Sequence, residues 1–309
     1  MTVSKFIFIA KRLRRQVLGE ILFALPSRRK QRENGLSVFL FHDISPTPSE
    51  FSSDFNLNLT PADFRLTLER LSDEYNFVTA DQILNGSPLP KNAALISFDD
   101  GFSGTFEYGL PILECMNIPS LIFLNFAPLV GSVLISAQAL YLAKYSKNFN
   151  EYFPDKDMAS AHLWITPNLL KKFVAESDCP ENADILNYQG DFVDWNTVKS
   201  WDNHPLVKFG NHLYNHWNAP SLTEEEFATQ LTLNNYKLGE LDSYLPIFAF
   251  PNGRFTEKLQ RQLKGLNIER CFTTIPKVND ILNTFTLNRF CLDYSTLTKG
   301  ELKFALSKN

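Results

Sequence analysis

An apolar run of strand length, Ala93 to Phe98, ends in two adjacent carboxylates, Asp99 and Asp100, followed by Gly101. Neighbouring side chains on an extended strand point to opposite sides. The pair therefore offers two carboxylates with separate tasks, one to bind a metal ion and one to handle a proton. Gly101 lets the backbone turn sharply, with φ positive where the path needs it. An acidic loop capping the following helix would use the same residues, so the pair alone decides little. A second spacing sharpens it. His212 and His216 stand four apart, which can put two imidazoles on one ion. With one carboxylate they make a set of two His and one Asp that leaves positions open for water and substrate.

Such a set needs elements that bring distant residues to one place. Each chemical residue follows an apolar run: Leu36–Phe41 precedes His42, Ala93–Phe98 the acidic pair, Leu206–Phe209 the histidine segment, and Ile247–Phe250 the segment Pro251-Asn252-Gly253. Helical patterns lie between. Thr60-Pro61-Ala62-Asp63 is a helix start, with an N-cap, proline at the first helical position and an acid in the first turn. Further helices are expected near Gly104–Met116, Trp195–Trp201 and Thr223–Ser243, and from Thr256 and Thr298, with strands at Phe77–Thr79, Ser120–Leu124, Cys271–Thr273 and Phe285–Phe290. From about 126 to 190 this rhythm fails. The stretch reads as an insertion, a lid or wall of the site, with helices at Ser136–Tyr145 and Pro167–Glu176.

Nearly all-apolar strands alternating with helices argue for a parallel α/β sheet covered on its faces. Seven or so units in one domain favour a barrel, whose working residues sit at the carboxyl ends of the strands. His42, Asp99, Asp100, His212 and His216 then meet on one rim. His204 precedes its strand and falls at the opposite end, and His162 lies in the insertion.

The 309 residues, 44% hydrophobic and 21% charged, suit a globular chain that buries a full core. The net charge of −4 is unevenly spread. Residues 1–32 hold nine Lys or Arg against Glu20 alone, so the rest carries −12. An acidic body speaks against a nucleic-acid groove. Cys115, Cys179, Cys271 and Cys291 show no paired spacing and read as reduced core residues. The N-terminal apolar run, Phe6 to Ala10, is too short for a secretory core, and no run of about 18 apolar residues suggests a span. Phe6, Ala10, Leu13, Val17, Ile21 and Ala24 fall at helical spacing with cations largely elsewhere, Pro26 closes the segment, and Ser27–Arg32 is a basic linker. A cationic amphipathic helix of this kind can lie on an anionic leaflet. Equally, it can pack its apolar stripe on the body. The domain plan is thus a basic N-terminal segment over 1–35 and a barrel over 36–309.

Three motifs carry a resemblance. Ser97-Phe98-Asp99-Asp100-Gly101, Gly210-Asn211-His212-Leu213-Tyr214-Asn215-His216 and Phe248-Ala249-Phe250-Pro251-Asn252-Gly253 resemble, in order and separation, the first three motifs of the polysaccharide deacetylase family (the NodB-homology, carbohydrate esterase family 4 enzymes). The resemblance implies a distorted (β/α) barrel and metal-dependent removal of an acetyl group from a sugar. It assigns Asp99 as catalytic base, Asp100, His212 and His216 as ligands of a divalent ion such as zinc, and Pro251-Asn252 as the oxyanion segment. Departures stand beside it. Leu213 replaces the usual Ser or Thr, Asn252 the common Tyr, no arginine precedes Pro251 in the usual place, and no His follows His216 to supply the late Leu-x-x-His acid. Phe41-His42-Asp43 is similar to the Tyr-His-Asp of members that take this histidine from the first strand, so His42 is the expected general acid. Arg289 is expected to orient Asp99 or bind substrate, with a surface salt bridge as the alternative.

An N-acetylated sugar is therefore the expected substrate. The basic helix and the missing secretory core favour a lipid-linked saccharide, handled in the cytoplasm or at the inner face of the membrane. A glycan-binding member without turnover and an amidohydrolase on a small non-sugar amide remain as alternatives.

Overall fold

The computed structural model describes residues 3–177, 179–280, 284–296 and 298–307. Eleven strands occur there: β1 (Leu36–Phe41), β2 (Asp43–Ile44), β3 (Asn58–Leu59), β4 (Asn76–Phe77), β5 (Ala93–Phe98), β6 (Ser120–Leu124), β7 (Val207–Asn211), β8 (Tyr244–Ala249), β9 (Arg270–Phe272), β10 (Thr286–Leu287) and β11 (Phe290–Cys291). Nine form one sheet in the order β10-β9-β8-β7-β6-β5-β1-β11, with β4 beside β5, and every pairing is parallel. About seven strands were expected. Part of the excess comes from Phe285–Phe290, expected as one strand and found as two, β10 and β11.

Strand period places the core. On β5, Ala94, Ile96 and Phe98 pack outward against helix residues such as Phe64, Leu68 and Leu113. Ala93 and Leu95 share the barrel interior with Leu36, Val38, Leu121, Phe123, Ile247, Ala249, Phe272 and Leu287. Continuing the inward parity past each strand end reaches His42 after β1, Asp99 after β5, Thr274 after β9 and Arg289 after β10. Gly210 leaves room for the interior ring of Phe123, because a Cβ there would lie 2.8 Å from it.

The expected strand Phe285–Phe290 is divided in two. β10 pairs with β9 and β11 with β1, so Asn288-Arg289 spans a seam at which the hydrogen-bonded ladder is interrupted. Asn279 fills the base of that seam: its side chain donates to Leu36 O and Asn288 O and accepts from Asn288 N–H at 2.6 Å. This interrupted closure is the distortion of the barrel.

The stretch 126–190 is helical, including Ile135–Tyr145, Pro167–Glu176 and Asn182–Gln189. The long helix expected over Thr223–Ser243 runs only from Glu224 to Leu238, with Thr223 in a capping box and Gly239 at its end. Ser27–Arg32 is not a linker. Pro26–Asn34 is a helix, because a proline is well tolerated at the first helical position. Of the cysteines only Cys271 is buried; Cys115 and Cys291 are exposed and Cys179 is intermediate.

Candidate active site

Three residues from separated parts of the chain meet at the carboxyl end of the sheet. Asp100 Oδ1 lies 3.2 Å from His216 Nε2 and 3.4 Å from His212 Nε2. All three side chains are buried, and their ligand atoms lie within 4.8 Å of one another. Each ring is held from behind: His212 Nδ1 donates to Ala249 O at 2.8 Å, and His216 Nδ1 is 2.9 Å from Ser136 Oγ. The Nδ1–H of His212 being spoken for, its Nε2 lone pair faces Asp100 in the neutral ring, the arrangement that metal-binding histidines use. Asp100 Oδ1 itself is buried without a hydrogen-bond partner. An orphaned carboxylate oxygen between two imidazole nitrogens fits a divalent cation, and the donor set suits such an ion.

Asp99 is treated differently. Its two oxygens accept from Arg289 Nη1 at 2.6 Å and Nη2 at 2.7 Å, a bidentate pair. Arg289 is fully buried, donates from Nε to Thr273 O at 3.1 Å, and lies over the Phe123 ring. The surface salt bridge is thus excluded for Arg289. Burial pushes the Asp99 carboxyl up, but Arg289 and His212 outweigh it and hold it below the usual carboxylate range. Burial also opposes ionisation of Asp100, and His216 and His212 more than offset it. Of the two imidazoles, burial lowers His216 to about 4, while the two aspartates outweigh burial and raise His212.

A cavity of about 320 Å³ opens over this cluster, lined among others by His42, Asp99, Asp100, His212, His216, Asn252 and Gly253. Burial lowers the His42 pKa against the pull of Asp100 and Asp99. Pro251 does not line the cavity; it starts the short turn Pro251–Gly253 that presents Asn252 there. His204 pairs with Glu114, away from this rim. His162, set aside above because it lies in the insertion, reaches the same cavity, with a buried Nδ1 that has no partner.

The local backbone is strained where the chemistry is. Among the described residues, positive φ outside glycine falls on asparagines except at Asp100 (75°), Leu213 (63°) and His216 (57°), and Asn252 at the cavity has 58°. Leu213 is fully buried in an apolar cluster with Trp217, Phe227 and Phe248, which accounts for an apolar side chain at that position. Its carbonyl accepts from Asn125 Nδ2 at 2.8 Å, and its N–H donates to Asn211 Oδ1 at 2.7 Å. Asn234 joins them, donating to Asn211 Oδ1 at 2.9 Å and to Leu124 O at 2.8 Å. This buried amide network fixes the histidine loop, and the sequence reading missed it. Ser136, Phe51, Phe55, Leu57 and Leu140 were missed as well, since they come from outside the strand ends.

The family described as polysaccharide deacetylase matches residues 86–271, more than half of the chain. The chain belongs to the polysaccharide deacetylase family. It is accordingly a carbohydrate deacetylase, and its Asp100, His212 and His216 form a possible metal site. Solved structures share the fold of this deacetylase at low identity. IcaB from Ammonifex degensii superposes with a TM-score of 0.60 at 18% identity, over 88% of this chain and 97% of that one. A Streptococcus pyogenes deacetylase, PplD, in complex with acetate gives 0.59 at 15%, over 88% and 98%. A de-N-acetylase from Aggregatibacter actinomycetemcomitans gives 0.56 at 19%, over 87% and 99%. No curated protein matches the chain significantly.

Proposed function

We propose that this deacetylase hydrolyses the acetamide of an N-acetylated sugar with a divalent ion, zinc by the donor set, held by Asp100, His212 and His216. The observation that carries this is the contrast between two neighbouring carboxylates: Asp100 keeps an orphaned oxygen among imidazoles, while Asp99 is locked by Arg289. When bound, such an ion polarises the amide carbonyl and makes water a stronger acid. Asp99 takes the proton of the attacking water, and Arg289 keeps that carboxylate ionised and aimed. In the turn, Asn252 offers its backbone N–H for the oxyanion, while the N–H groups of Gly253 and Arg254 donate within the turn. The C–N bond then breaks, acetate leaves, and the amine nitrogen takes a proton from His42. A low proton affinity, imposed by burial, makes His42 a strong acid once it is protonated.

His162 gives a second reading of the acid, because its unpartnered Nδ1 reaches the same cavity and burial, with Arg254, holds it near 4. The test is acetate release from N-acetylglucosamine oligomers by metal-loaded protein, in parallel with a small non-sugar acetamide. Turnover of the acetamide alone would make the protein an amidohydrolase of another kind. Glycan binding without acetate release would mark a binding protein.

A further inference from the structure

The N-terminal helix, Val3–Ala24, is attached by one face and bare on another. Its attached face meets the C-terminal helix, Lys299–Ala305, at two glycines: a Cβ on Gly19 would lie 1.9 Å from Gly300 O, and one on Gly300 2.7 Å from Gln16 Cα. Gln16 donates to Thr298 at 3.3 Å, and Lys303 binds Glu20 at 2.7 Å. Phe23 is buried beneath the Arg32 guanidinium, 3.4 Å from the ring centre. The described part of the apolar stripe is not in this contact. Leu13, Val17 and Ile21, four apart and so on one line of the helix, are 56%, 60% and 56% exposed. The sequence left open whether this stripe packs on the body; here Leu13, Val17 and Ile21 face away.

We propose that this outward face lies in the headgroup layer of an anionic bilayer. Exposed Arg14 stands beside the stripe and exposed Arg15 further round the helix, and residues 3–19 contain no acid; the first, Glu20, is held by Lys303. A second copy meeting the stripe would bring two basic flanks together, whereas anionic lipid complements them. No helix among the described residues is long and apolar enough to cross a membrane, so the helix lies along the surface. Orientation follows from the docking register. Gln16 sits at Thr298 and Arg28 at Ser307, so the N-terminal helix runs in the same sense as the C-terminal one. The latter starts near the rim, where Tyr294 reaches Asn58 on β3. The turns before Gln16 therefore project on the catalytic side of the barrel, and the docked face runs alongside the barrel up to that end. Presenting a lipid-borne sugar to that cavity rests on the deacetylase reading; the docking does not.

The test is flotation with vesicles of phosphatidylglycerol and phosphatidylcholine, against phosphatidylcholine alone, for the intact chain and the variant Leu13→Glu/Val17→Glu/Ile21→Glu. All three side chains are solvent-exposed, so circular dichroism and turnover of soluble N-acetylglucosamine oligomers should not change. The intact chain should float with the anionic vesicles, and the variant should bind them at least tenfold more weakly. Arg14→Glu/Arg15→Glu should lower binding in the same direction. N-acetylglucosamine carried on a lipid in those vesicles should be turned over at least tenfold faster by the intact chain than by the triple variant. Absent flotation, equal flotation with both vesicle types, or a dimer that the variant disperses would each overturn the proposal. Flotation with no turnover of either substrate would sink the deacetylase reading and leave the docking standing.

Discussion

The cavity has two unlike walls. The barrel wall supplies His42, Asp99, Asp100 and His212 from the ends of buried parallel strands, where a period of two sends Asp99 inward and the positive φ of Asp100 brings it in beside it. The helical insertion supplies Ser136, Leu140 and His162, on helices whose docking no short periodicity dictates. In the proposed mechanism Asp99 and His42 stand on the first wall, and the second is left to fit. Chemistry shared across a family can sit on a rule-bound scaffold while the insertion shapes what enters, and substitutions on the two walls should separate in kind.

The largest effects should come from the carboxylate pair. Asp100→Ala or His212→Ala should abolish both metal binding and turnover, while Asp99→Asn should keep the metal and lose turnover by at least about 10³-fold. Elemental analysis with a turnover assay decides it, and full metal occupancy in Asp100→Ala would sink the ligand assignment. Chelation should silence the intact protein, with activity returning on adding zinc.

His42→Ala should keep fold and metal and lower kcat by about 10²–10⁴-fold. As the acid, His42 works while protonated, so the rate falls as pH rises through its pKa, and burial places that limb below the ordinary imidazole value. The variant should lose this alkaline limb. An unaltered limb in His42→Ala, with a flattened one in His162→Ala, would move the acid to the insertion wall and erase the division drawn here.

Arg289→Ala should destabilise the fold by about 3–5 kcal/mol, since it leaves Asp99 buried without its cation. Denaturant melts at constant slope measure this, and Arg289→Lys should recover only part of it because the paired geometry is lost. The smallest effect belongs to the second wall. Leu140→Ala should raise KM for sugar oligomers several-fold with kcat nearly unchanged, as expected when binding common to ground and transition states is removed. A fall in kcat with KM unchanged would show that the insertion takes part in the reaction.

What was legible follows the same line. β1 and β5 could be placed because their apolar runs end abruptly in His42 and Asp99-Asp100, and Thr60, Thr223, Thr256 and Thr298 mark helix starts by capping chemistry that is local in sequence. The seam at Asn288-Arg289 was not legible, because a ladder break depends on which partner each half of the segment finds. The Asn125–Asn211–Asn234 network was hidden for a related reason: buried amides look like surface polar residues until their distant partners are known. The N-terminal helix was half legible. Its periodicity showed a stripe, but two glycines 281 residues apart decided that a different face would dock.

The seam also bears on when the protein becomes an enzyme. Asp99 is synthesised in the first third of the chain and its guanidinium partner near the end, at residue 289. Until the segment carrying Arg289 closes the barrel, Asp99, the proposed base, has no cation, and burying it alone is unfavourable. A chain that stops before Arg289 therefore lacks the cation that holds Asp99, the proposed base, ionised. Assembly of the Asp99–Arg289 pair thus waits on the strands that close the barrel, however much of the chain before them has folded.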